Sequence, residues 1–279
     1  MIKVLNPGLF TTLQDEGRFG LRDKGVPVSG AMDPRAARVA NLLLGNKAGA
    51  AVMEITMTGP ELEFDKECDF AICGAMLSPE LDGEALQNNT VYTAKAGQHL
   101  KFGRLVKGYR AYLAVKGGFD TPEVLGSRSW YKPVTARAML KKGDSLETGK
   151  AGKQSTKNVP EYPQENLEGD YIEVYKGPEY DLLSADQKSQ LEKGIFKVAN
   201  ESNRMAYQLQ EKILGHSHSI LTSSTLPGTV QLTPDGRIII LMKDAQTTGG
   251  YPRILQLSDE GLAFLSQKKT GDQFLFRIK

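Results

Sequence analysis

Hydrophobic residues in this chain come in short runs. Ile2–Leu5, Leu9–Leu13, Ala51–Ile55, Glu61–Phe64, Phe70–Leu77, Val91–Thr93, His99–Phe102 and Tyr109–Val115 are rich in apolar or β-branched residues and set off by Gly, Pro or Asn. Such runs predict strands joined by tight turns. One stretch breaks that rhythm. Ala36, Ala37, Val39, Ala40, Leu43 and Leu44 recur at helical spacing, which predicts an amphipathic helix. Asp33 can cap its free first-turn N–H groups, Pro34 suits the first helical position, and Gly45 is a natural stop. Just ahead, Ser29 and Gly30 stand on a tight loop aimed at the helix's positive end. A carboxylate or phosphate is favoured at such a place.

The second half repeats the pattern. Strands are predicted at Tyr171–Tyr175, Ile195–Val198, Thr229–Leu232, Ile238–Met242, Tyr251–Leu257 and Phe274–Ile278. Helices are predicted at Ser184–Lys193, opened by a Ser184/Gln187 capping box, and at Asp259–Gln267. Many short strands with frequent turns favour a barrel or sandwich over alternating βα units. The expected fold is mainly β, with two β-rich halves at 1–148 and 170–279 and a few short helices. Between them, 149–169 is polar and almost devoid of large aliphatics, so a linker or long exposed loop with little core is expected.

Composition narrows the function. In 279 residues the charged fraction is 24% and the net charge +2, so no concentrated basic face points to nucleic acid or an anionic membrane. No apolar run approaches the ~20 residues of a membrane-spanning helix, and no signal peptide is read at the N-terminus. Cys68 and Cys73 are expected as reduced thiols. The sequence carries no phosphate loop, no dinucleotide-binding glycine motif and no nucleophile elbow. Its histidines fall short of a zinc set.

What remains is a group of polar clusters on glycine-containing loops: Arg18 to Asp33, LGSRS at 125–129, ESNR at 201–204 and QTTGGYP at 246–252. Arginine and asparagine forks, paired hydroxyls and paired glycines let side chains and backbone approach a small anionic or amide ligand. Loops held by a rigid β scaffold are a common place for such sites.

Longer words carry a family resemblance: TTLQDEGRFG at 11–20, GVPVSGAMD at 25–33, ANLLLGN at 40–46 and EITMTGPELEF at 54–64. YLAVKGGFDTPEVLGSRS at 112–129, ESNRMAYQL at 201–209 and DAQTTGGYPRI at 244–254 continue it. With these the chain resembles the family of 5-oxoprolinase C subunits, also described as biotin-dependent carboxyltransferase-like or allophanate hydrolase subunit 2-like. The resemblance implies a cyclophilin-like β-barrel and a cytoplasmic bacterial protein in complex with the 5-oxoprolinase B and A subunits. It implies hydrolysis of 5-oxo-L-proline to L-glutamate, coupled to conversion of ATP to ADP and phosphate with magnesium. Relatives form the carboxyltransferase part of urea carboxylase, which uses carboxybiotin, and one is described as antagonising a kinase inhibitor. No biotin-attachment segment is recognised in this chain.

Opening a stable lactam benefits from positive groups and N–H donors around developing negative charge. Arg18, Arg128 and Arg204 are the candidates for that stabilisation. Ser29 and Gly30 are candidates to hold a carboxylate or phosphate, and Asp33 and Glu54 to act as general bases or magnesium ligands. Asn203, Thr247, Thr248, Gly249 and Tyr251 are candidate contacts to substrate or nucleotide. Asp33, Glu54 and Arg204 are the expected catalytic set.

Overall fold

The computed structural model describes residues 1–150, 159–162, 167 and 169–279. The described chain is mainly β, with three α-helices: α1 (Pro34–Leu43), α2 (Ala185–Lys193) and α3 (Asp259–Ser266). It divides into two compact units. The first comprises Met1–Arg18 and Ser29–Glu168, the second Phe19–Val28 and Gly169–Lys279.

In the first unit, a six-stranded sheet runs in the order 145–146, 2–6, 61–64, 99–102, 79–81 and 84–85. A five-stranded sheet runs 10–14, 52–56, 107–115, 68–76 and 91–94. Successive side chains on a strand point to opposite faces, and the five-stranded sheet uses both faces. Met53, Ile55, Phe70, Ile72, Leu113 and Val115 join Ile2, Val4, Leu62 and Phe64 of the six-stranded sheet in one core. The alternate positions Val52, Ala71, Cys73, Tyr112 and Ala114 pack instead with Ala36, Ala37, Ala40 and Leu44 of α1. The alanines of the helix and the small residues of the sheet therefore meet at close range.

In the second unit a seven-stranded sheet runs 196–197, 273–278, 171–176, 253–257, 229–232, 237–241 and 206–212. Its ladders are antiparallel except for the parallel pair 171–176 and 273–278. The two end strands come together at a bridge between Val198 and Leu209, so the sheet is a nearly closed barrel. Phe196, Phe274 and Phe276 pack together, tilted or edge-to-face, with ring centroids 5.2–6.4 Å apart. Such closure leaves few exposed strand edges.

The expected strands are present within a residue or two, and α1 begins at Pro34 as predicted. The strand Ala206–Lys212 is an addition; its alternating Tyr207 and Leu209 are buried while the intervening positions are not. Most of the expected 149–169 linker lies outside the described residues. Two of its described members, Tyr162 and Leu167, are buried against α1. These two residues depart from the exposure that the segment's composition predicts. Cys68 and Cys73 are free and buried. Among the described residues no helix is long and apolar enough to cross a membrane.

Candidate functional site

The face of the five-stranded sheet turned toward α1 carries its polar residues in register. Thr12 pairs with Glu54, Glu54 with Tyr112, and Gln14 with Val52. Buried Glu54 accepts hydrogen bonds at Oε2 from the Met32 N–H at 2.8 Å and from Tyr112 Oη at 2.9 Å. Arg110 Nε, also buried, lies 3.8 Å from Glu54 Oε1. The Asp33 N–H in turn donates to Tyr112 Oη at 2.7 Å. Burial above all, with the charges of Glu54 and Asp33, holds the Tyr112 phenol well above its ordinary pKa. Tyr112 is therefore a fixed donor to Glu54 across the neutral range.

Asp33 caps α1. Its Oδ1 accepts from the N–H groups of Arg35 and Ala36, and its Oδ2 from Tyr162 Oη at 2.7 Å. The helix's positive end thus already holds a carboxylate of the chain itself. Beside it, Ser29 and Gly30 both adopt positive φ, +58° and +84°. A Cβ at Gly30 would lie 2.8 Å from the Glu16 carbonyl oxygen, so only glycine fits there. Ser29 is fully buried and its hydroxyl has no hydrogen-bond partner. Strained backbone next to an unsatisfied buried hydroxyl marks this loop as a functional candidate.

Asp15 ties the neighbouring loops together. Its carboxylate accepts from the hydroxyls of Ser127 and Ser129, both at 2.6 Å, and from the N–H groups of Gly17 and Arg128. Its carbonyl accepts from the Ala31 N–H. Arg18 is buried, with Nε donating to the Val124 carbonyl and Nη2 to that of Ser129. The Arg128 side chain turns to Asp120 at 3.0 Å.

The first unit therefore brings Arg18, Ser29, Gly30, Asp33 and Glu54 together, with the backbone of Arg128. The remaining candidates lie in the second unit. Arg204 is buried and forks onto Asp244, Nε to Oδ2 at 2.7 Å and Nη2 to Oδ1 at 3.1 Å. Asn203 Oδ1 accepts from the N–H groups of Met205 and Ala206, a turn-stabilising arrangement. Thr248 and Gly249 pair with Ser224 and Ser223 in a two-stranded ladder. Thr247 is buried, and its carbonyl accepts from Arg22. Tyr251 is exposed. Asp15, Gln14, Tyr112, Arg110 and Tyr162 are additions that sequence reasoning missed. Tyr112 declares itself as the partner of Glu54 only once the strand register is known.

The described residues of the first unit line a groove and a smaller cavity. A groove of about 640 Å³ at Met76, Pro79, Leu86, Asn88 and Val106 has Glu80 as its only charged lining residue, the wrong sign for phosphates. A smaller cavity of about 110 Å³ lies against α1, lined by Gln14, Asp15, Glu16, Ala31 and Arg38 among others. It adjoins the polar cluster but is far too small for a nucleotide. Among the described residues no three His, Cys, Asp or Glu side chains are grouped to hold a cation. Neither the groove nor the cavity has both the size and the charge to take a nucleotide with its magnesium.

Comparison with known proteins agrees with this architecture. Residues 24–278 match the family model described as carboxyltransferase domain, subdomain A and B. The chain is 38% identical to the 5-oxoprolinase C subunit of Escherichia coli over 99% of its own length and 90% of the relative's. It is 34% identical to the protein of the same name in Haemophilus influenzae, with the same coverage. The solved urea carboxylase of Kluyveromyces lactis superposes with a TM-score of 0.89 at 29% identity, over 99% of this chain and 27% of that one. The chain thus spans about a quarter of that larger protein. It belongs to the carboxyltransferase-domain family of subdomains A and B, together with the 5-oxoprolinase C subunits.

Proposed function

We propose that this chain is the C-type subunit of an assembly that hydrolyses 5-oxo-L-proline to L-glutamate at the expense of ATP. The observation that carries this reading is the 38% identity to the Escherichia coli relative over 90% of that protein's length. The geometry supports a role for the chain as one part of a shared machine. Its candidate arginines are committed internally: Arg18 to backbone carbonyls, Arg128 to Asp120 and Arg204 to Asp244. Asp33 and Glu54 are likewise bound up in hydrogen bonds. Spreading phosphoryl charge calls for cations and usually magnesium, so ATP activation is assigned to the A-type and B-type partners. This chain supplies a shaped, partly apolar surface for the small substrate.

The test is co-expression with those partners, followed by assay of glutamate and ADP release from 5-oxoproline. ATP-dependent glutamate that disappears when this chain is omitted is the expected result. No such activity from the full assembly overturns it. A second reading, a carboxyltransferase-type subunit that acts on urea or another small amide, draws on the likeness to urea carboxylase. Biotin-dependent carboxylation by the same assembly would replace the first reading with this one.

A further inference from the structure

The cavity against α1 exists because its walls are small. Ala31, Ala37 and Ala50 line it, where larger side chains would fill it. Its volume of about 110 Å³ equals roughly four liquid-water volumes, the scale of a five-membered ring with a substituent. Gly49 shapes the rim. A Cβ there would fall 2.5 Å from Glu16 Cδ, so glycine alone lets the Glu16 side chain lie across this position.

One polar group on the wall is fixed and unsatisfied. Gln14 is fully buried and lines the cavity. Its Nε2 donates to Thr12 Oγ1 at 3.1 Å and to the Trp130 carbonyl at 3.2 Å. A carbonyl only accepts, so turning the amide over would set two oxygens against each other. The orientation is thereby determined, and Gln14 Oε1 is left buried without a partner. Buried acceptors of this kind are uncommon, because an unmade hydrogen bond inside a protein is costly. The group calls for an N–H donor.

The remaining charges order a ligand. Asp15 also lines the cavity, but its carboxylate is occupied by Ser127, Ser129, Gly17 and Arg128. Glu16 and Arg38 are both exposed lining residues. They bring one negative and one positive side chain to the lining. An anionic substituent is drawn to Arg38 and repelled by Glu16.

We propose that this cavity binds a small lactam or secondary amide that carries a carboxylate. The ligand N–H donates to Gln14 Oε1, its carboxylate pairs with Arg38, and its apolar ring lies against the alanines. The choice of 5-oxoproline as ligand rests on the function proposed above; the pocket chemistry does not.

Calorimetric titration of the full chain tests this, using 5-oxo-L-proline, 2-pyrrolidone without the carboxylate, and the N-methyl lactam acid without the N–H. Wild type binds the first and binds both analogues more weakly. Arg38→Ala, at an exposed helix position, weakens 5-oxoproline about tenfold, the loss of one charge-assisted bond, and leaves 2-pyrrolidone unchanged. Ala50→Leu fills the cavity and abolishes binding; if that variant does not fold, Arg38→Ala and the analogue series still decide the matter. No binding by wild type, or equal binding of all three compounds, overturns the pocket. Glutamate release by the complete assembly reports separately on the proposed function. Full turnover with an unaffected Arg38→Ala assembly discards the pocket and keeps the function. Selective binding without turnover keeps the pocket and discards the function.

Discussion

Carboxylates are held in different ways in the two units. In the first, Asp15 and Asp33 are satisfied by hydroxyls and backbone N–H groups from several segments: 17, 127–129 and 162 among them. In the second, two carboxylates each meet one arginine fork. Asp244 takes Arg204, and Glu179 takes Arg253 through Nε at 2.9 Å and Nη2 at 2.7 Å. A fork fixes one partner in one geometry, which suits the rim of a nearly closed barrel. A carboxylate shared among neutral donors ties several loops at once. That is what the walls of a pocket assembled from distant segments require.

This contrast can be broken in order of expected effect. Arg204→Ala leaves buried Asp244 without its partner and is expected to lower stability by about 3 kcal/mol, read from urea unfolding. The sequence alone leads one to expect that this variant loses turnover while staying folded. The buried pair instead predicts that stability falls first. Arg204→Met with Asp244→Leu should recover most of the loss. Asp15→Asn, which sets amide hydrogens against Ser and N–H donors, is expected to cost about 2 kcal/mol. Faster hydrogen exchange should be confined to loops such as 127–129, whereas the arginine variant loosens the barrel rim. Gly30→Ala meets the Glu16 carbonyl at positive φ and should cost about 1–3 kcal/mol.

Two smaller effects follow from proton binding. Burial pushes the Cys73 thiol up to about 12. The folded state thus holds this proton more tightly than the unfolded chain, and its contribution to stability is lost as pH rises above about 9. Native Cys73 should resist alkylation at pH 8.5 and react once the chain is unfolded. The Arg253 fork holds Glu179 below the usual carboxylate range. That contribution is present above the unfolded pKa and is lost as pH falls through the depressed folded one. Glu179→Gln should flatten this acid arm of the stability curve, read from urea unfolding across the acid range.

Most of the β framework is legible in the sequence, because strand and turn signals are local. Asp33–Pro34 announces α1 to the residue. The polar site is only half legible. Arg18, Ser29, Gly30 and Asp33 stand out as loop residues, but their partners do not. Glu54 reads as a general base or magnesium ligand, and only the register reveals its partner Tyr112. Gln14 falls just beyond the predicted strand Leu9–Leu13, and its significance depends on the Trp130 carbonyl 116 positions away. Asp15 is hidden for the same reason, since three of its four carboxylate donors come from 112 to 114 residues further along. Tyr162 sits in a segment whose composition gives no hint of burial. In the second unit the arginine of ESNR is visible, while its partner Asp244 is 40 residues distant. Pairings across such separations belong to the fold.

The sharpest measurement compares 5-oxoproline hydrolysis by the complete assembly carrying wild-type chain or Arg38→Ala. If the first unit's cavity receives the substrate, the 5-oxoproline concentration for half-maximal glutamate release rises about tenfold in the variant. The maximal rate is retained, as expected when ground-state binding alone is weakened. An unchanged half-saturating concentration, in an assembly that forms equally well, would contradict it.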